Sequence, residues 1–324
     1  MVVDGRERAR CTLWWNHTPT IAGGRLGTIG ALSGRGPSAF QPTGGDAVAA
    51  DLSTDFATDL TAARTLLDHA CRRLETQGCT QVLAPMNGSS WQPYRCREPI
   101  SPAAAAPDPL AGFAGEPLPG PEWIAPLSRC GFRVQQRYHS FLCNDLTQRR
   151  RRGRPTRLET LRIRRASELD ATAGLAQVQA LLPQVHGLLH RAFQRQPWFL
   201  PLPLDTFCRL QLQSGGLASI DPHSSLLAFA GEQLVGLLLA HPADASGTTL
   251  VIRTLAVLPG RPWAGLGRLL LEQAHAAAQQ RGFRQVVHAL MLENGAGQAL
   301  SRHYARPLRS YVLLGRRLGP GPGE

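Results

Sequence analysis

Lysine is absent from this chain of 324 residues; all 35 basic residues are arginine. That excludes Schiff-base chemistry, a lysine general base and the Gly-Lys-Ser/Thr phosphate loop. Charged residues are scarce at 18%, and aromatics make up 6%. The seven cysteines, at 11, 71, 79, 96, 130, 143 and 208, form no C-x-x-C pair. Their odd number and their spacing argue against a disulfide framework and a metal site, so reduced and mostly buried thiols are expected. No apolar run is long enough to span a bilayer, and the N-terminus has no apolar core of signal-peptide length. A cytoplasmic, soluble protein is the expectation, with no membrane partner and no metal.

What is present is a 43% hydrophobic chain long enough for two domains. Its net charge of +12 fits an anionic ligand, nucleic acid or an arginine-biased genome. Bulk charge does not separate these, and nucleic acid ranks below an anionic small molecule. The oligomeric state is open, with a homodimer among the options.

The most informative stretch runs from Thr249 to Leu292. A β-type run, Leu250 to Leu258, meets a turn with Pro259, Gly260 and Pro262. Gly265-Leu266-Gly267 follows, then a helical run with Leu266, Leu269, Leu270, Ala274 and Ala277 on one face. Arg281 and Gly282 end the helix, and a second β-type run spans Val286 to Leu292. A helix N-terminus behind glycines suits a diphosphate. The dinucleotide fingerprint G-x-G-x-x-G is incomplete, because position 270 is leucine.

This run resembles the coenzyme-A loop of the GNAT acetyltransferase superfamily, V-x-P-x-x-(Arg/Gln)-x-x-G-x-(Gly/Ala). Val257, Pro259, Gly265 and Gly267 match; Pro262 replaces the Arg/Gln, with Arg261 and Arg268 as substitutes for its charge. The resemblance implies acetyl-CoA as co-substrate and an amine acceptor, small molecule or protein. It implies two parallel strands that splay around the thioester. It also implies a binding set of Leu255, Ala256, Val257, Arg261, Ala264, Gly265, Leu266, Gly267, Arg268 and Asn294. The superfamily's N-x-x-A-x-x-(Leu/Phe)-Tyr fits Asn294 and Leu300, but Ser301 stands at the tyrosine position, so Tyr304, one turn on, is the candidate acid. Tyr311 is a weaker one. His288, with Glu293 just beyond it, is the candidate base; His241 and water are alternatives. The thin catalytic set leaves a second reading open: a protein that binds CoA or another anion without turnover.

An upstream segment repeats this unit. Arg64, Leu66, Leu67, Ala70, Gly78, Gln81 and Val82 recur 204 residues later as Arg268, Leu270, Leu271, Ala274, Gly282, Gln285 and Val286. Thr61 and Ala63 replace the glycines, and Asp55 and Asp59, the latter a candidate N-cap, would repel an anion. The expected fold is therefore α/β with mixed sheets, as two tandem GNAT-like domains. Residues 1–147 form a degenerate copy, 148–157 an Arg-rich linker, 158–318 the acyl-CoA domain and 319–324 a disordered tail. The segment Pro85-Met86-Asn87-Gly88 with Trp91, Tyr94 and Arg95 resembles an uncharacterised two-domain bacterial GNAT group. Trp91 and Arg95 then either line an acceptor pocket or pack between domains.

Overall fold

In the computed structural model the chain is described except at residues 1, 4, 5, 8, 35–54, 100–109, 111, 119, 150–157, 170–173, 213–218 and 320–324. The strands are β1 Val2–Val3, β2 Arg6–Glu7, β3 Ala9–Trp14, β4 Arg25–Gly34, β5 Cys79–Ala84, β6 Cys96–Arg97, β7 Arg133–Cys143, β8 Arg162–Arg165, β9 Leu226–Ala230, β10 Gln233–Pro242, β11 Thr249–Val257, β12 Gln285–Leu292 and β13 Arg306–Arg317. The helices are α1 Asp55–Thr76, α2 Ile124–Arg129, α3 Gly174–Phe193, α4 Leu204–Leu212, α5 Leu266–Gln280 and α6 Ala296–Ser301.

Two compact units result. One comprises residues 1–100, 117–137 and 311–324; the other comprises 101–116 and 138–310. The expected division at 147 and 158 is contiguous in sequence, and these units are not. The reason lies in strand pairing: Leu314 to Arg317 of β13 pair antiparallel with β5, while Tyr138 to Cys143 of β7 pair antiparallel with β12. Each unit thus takes a strand from the other half of the sequence. The Arg-rich linker and the tail fall mostly outside the described residues.

In the first unit β4 and β5 are parallel, joined through α1, and β3 lies antiparallel on β4. Leu67, Ala70, Cys71 and Leu74 of α1 pack with Ile29, Val82, Leu127 and Phe132 in its core. Gly78 follows the helix at φ +77°, as its repeat mate Gly282 does at φ +86°; glycine takes this conformation at no steric cost. The helix begins at Asp55, so Asp59 lies inside it and is not its N-cap. Thr61 and Ala63 are likewise mid-helix.

The second unit runs β7-β12-β11-β10-β9-β8, with only β11 and β12 parallel. Pro183 lies inside the helix α3. Five elements were not read from sequence: the strands β1, β2, β3 and β6, and the helix α4. The seven cysteines are free, five of them buried. Burial pushes the Cys96 thiol up to about 12, which keeps it an unreactive thiol. Among the described residues no helix is long and apolar enough to cross a membrane, and no cluster of His, Cys, Asp or Glu could hold a metal.

Candidate functional site

The parallel ladder between β11 and β12 is short. It pairs Thr249 with Gln285 and ends at Ile252 with His288. Beyond it, β11 continues through Val257 paired only with β10, and β12 continues paired with β7. Two irregularities drive the strands apart. On β11 the register against β10 slips between Leu239 and Ala240, leaving Arg253 as the extra residue. On β12 the register against β7 slips between His288 and Met291. There Leu290 takes φ +59°, and its N–H is held by the Ser140 hydroxyl at 3.2 Å. Bulges bend strands and end pairing, often beside functional sites. Peptide groups of Leu255 to Val257 thereby face a gap rather than a neighbouring strand on the β12 side.

The chain leaves β11 through a single 3₁₀ turn, Arg261–Trp263, and enters α5 at Gly265. Gly265 sits at φ +93°, a left-handed conformation that favours glycine. No side chain caps the helix. Its first intrahelical bond runs from the Leu269 N–H to the Gly265 carbonyl. The first-turn amides of Leu266 and Gly267 therefore have no intrahelical acceptor, and they stand at the positive end of the helix dipole. A Cβ added at Gly267 would lie 3.9 Å from Leu255, Val257 and Leu300. The glycine turn thus lies over the open end of β11 and beside α6, and the protein itself does not require glycine there. Arg261 and Ala264 are exposed. Arg268 is turned inward, with its guanidinium 3.4 Å from the Glu272 carboxylate. Asn294 is exposed in the turn before α6 at φ +59°, its N–H bonded to the Gln298 side chain.

Below this turn lies a buried polar chain. His288 is buried; its Nε2 is 2.9 Å from His275 Nε2 and its Nδ1 is 2.8 Å from the Ser301 hydroxyl. Ser301 donates to the Met291 sulfur at 3.0 Å. With that proton spent, Ser301 accepts from His288 Nδ1–H, and His288 Nε2 accepts from His275 Nε2–H. His275 Nδ1 is then a bare acceptor, buried without a partner; an orphaned acceptor is tolerated better than an orphaned N–H. Burial lowers the pKa of His275 to about 4, and burial together with the neighbouring His275 holds that of His288 well below its ordinary value. Tyr304 is buried and donates its hydroxyl to Glu272 at 2.5 Å. Glu293 pairs not with His288 but with His139, at 3.1 Å, lining a separate cleft of about 590 Å³. Tyr311 is fully buried on β13 in the first unit.

The loop residues named from sequence are thus brought together at one end of β11, whereas Tyr304 and His288 are placed in the interior. Sequence reasoning missed Glu272 and His275. Arg268 and Glu272 have the i,i+4 spacing of a solvated helix pair, and nothing in the sequence distinguishes that from a buried one.

Residues 184–304 match the family model described as Acetyltransferase (GNAT) family. No curated protein sequence matches the chain. Among solved structures, a GCN5-related N-acetyltransferase from Sphaerobacter thermophilus is similar, at 14% identity and a TM-score of 0.53, over 98% of this chain and 79% of that one. A tandem GNAT protein from the clavulanic acid biosynthesis pathway is equally similar, at 14% identity and a TM-score of 0.53, over 99% of this chain and 82% of that one.

Proposed function

We propose that this chain, which carries a GNAT domain over residues 184–304 and has the fold of tandem GNAT proteins, is an acyl-CoA-dependent N-acyltransferase that passes acetyl from acetyl-CoA to an amine. The observation that carries the reading is the junction of two features: the β11–β12 ladder ends at Ile252 and His288, and the uncapped N-terminus of α5 lies over the open end of β11. Amides of the first turn of α5 suit a diphosphate. The freed peptide groups of Leu255 to Val257 suit the amide-bearing arm that leads from it to the thioester. Holding amine and thioester together supplies much of the rate.

Gly265→Asp should abolish CoA binding with the fold retained. The substitution places a β-carbon on a left-handed backbone and a negative charge where the diphosphate approaches. Calorimetry with CoA, alongside circular dichroism, checks it. Unchanged affinity in a folded variant would remove the loop from the site. Binding without turnover of any amine would favour the alternative of a CoA-binding sensor or assembly module.

A further inference from the structure

The strand gap opens on two faces of the second unit, and side chains alternate between them along each strand. His288 faces α5 and α6, through His275 and Ser301. Val251 and Val287 face the other way, where they pack with Leu110, Phe113, Leu142 and Ala243. Leu110 and residues 112–116 thus roof the face opposite α5. The segment is tied down firmly. The Ala114 N–H bonds to the Ala243 carbonyl at 2.8 Å. The buried Arg309 holds Glu116 at 2.6 Å and also donates to the Leu110 carbonyl.

His241 on β10 lies under this roof. It pairs with Val251, two residues before the bulge at Arg253, where the gap begins. It is 7% exposed. Its Nδ1 is 2.9 Å from the Pro242 carbonyl. A carbonyl only accepts, so Nδ1 carries the proton and Nε2 is the bare, basic nitrogen. Nε2 has no hydrogen-bond partner among the described residues, and a Cβ built on Gly115 would lie 3.9 Å from it. It therefore points at the roofing segment.

We propose that the acceptor amine reaches the thioester from the face roofed by residues 112–116, and that His241 Nε2 takes its proton. This rests on the acyltransferase reading above. The amine nitrogen attacks the thioester carbonyl carbon; the C–N bond forms and the C–S bond breaks, its electron pair leaving on sulfur. The amine proton passes to Nε2, directly or through one water. The imidazolium releases a proton to solvent and the thiolate takes one up, so amine and thioester give amide and thiol with no net proton. The charge acting on His241 is Arg253 from β11; on the roofing segment the Glu116 carboxylate is paired with Arg309. Burial first, and Arg253 after it, hold the His241 pKa below its usual value. The ring then stays neutral and basic at pH 7, and the acidic limb of the kcat/KM profile should lie below pH ~6.5.

The test uses the full chain with acetyl-CoA and four amines: spermidine, β-alanine, glucosamine and a hexapeptide with a free N-terminus, from pH 5 to 9. His241→Gln should lower kcat/KM roughly 10²-fold, erase the acidic limb and leave CoA affinity unchanged by calorimetry. Arg253→Gln should move the limb upward. A limb unchanged in His241→Gln overturns the assignment; should that variant not fold, a limb unmoved in Arg253→Gln overturns it instead. No turnover of any amine by the unsubstituted protein fails the acyltransferase reading and this one with it, whereas turnover with an unchanged limb fails only His241.

Discussion

His275 and His288 are the residues whose placement has the most direct thermodynamic consequence. Both are buried and neutral, with folded-state pKa values below the usual 6.5. The sign follows from linkage: between pH ~6.5 and about 4 the unfolded chain binds a proton at His275 that the folded chain does not. Stability is therefore fully present above pH ~6.5 and falls as pH drops through that window. The loss is on the order of 3 kcal/mol at its lower end for His275, with His288 acting in the same direction. Urea unfolding at pH 7.5 and 4.5 measures it. His275→Gln should flatten the dependence, and identical pH dependence in variant and parent would contradict the burial argument. Tyr304 poses a different question. Its hydroxyl already donates a hydrogen bond to Glu272, so that bond must break before Tyr304 could protonate a thiolate. Tyr304→Phe should cost about 1–3 kcal/mol of stability, because Glu272 loses a partner, while kcat changes less than roughly tenfold. A drop of ~10² or more in kcat with stability intact would return Tyr304 to the acid's role.

At the scale of elements, the two halves of the repeat differ in where their helices start. The last turn of α1, its glycine and the strand after it coincide with those of α5 at the offset of 204 read from sequence. The beginnings do not. The positions of Gly265 and Gly267 correspond to Thr61 and Ala63, inside a helix that begins at Asp55. Mid-helix amides are taken by carbonyls one turn back, so the first unit offers no free helix end at that position. Its strands are also held together past their ladder: the Met86 N–H bonds to the Ile29 carbonyl at 2.8 Å, and the Ala31 N–H to the Asn87 side chain at 2.7 Å. Gly30 makes room for this, since a Cβ there would lie 2.1 Å from the Asn87 oxygen. A calorimetric titration should give one CoA per chain. Two equivalent sites would mean that the first unit binds CoA by another route.

For the molecule as a whole, the sequence by itself determined the local units. Period and punctuation showed two strand–helix–strand repeats, the glycine turn, and the loss of that turn in the first copy. These are readable because helix periodicity, glycine conformation and helix ends act over a few residues. Tertiary structure decided what depends on neighbours distant in sequence. It assigned β13 from Tyr311 onward to the first unit and β7 from Tyr138 onward to the other, because strand pairing joins segments distant in the chain. It turned Arg268 inward against the buried Glu272, and buried His288 between His275 and Ser301, although each would read as a surface or catalytic residue by type. It also brought residues 112–116, from a stretch with no pattern but Pro, Ala and Gly, to the face where His241 lies. Burial fixes a titratable group's charge and its partners, and burial is a property of the packed chain alone.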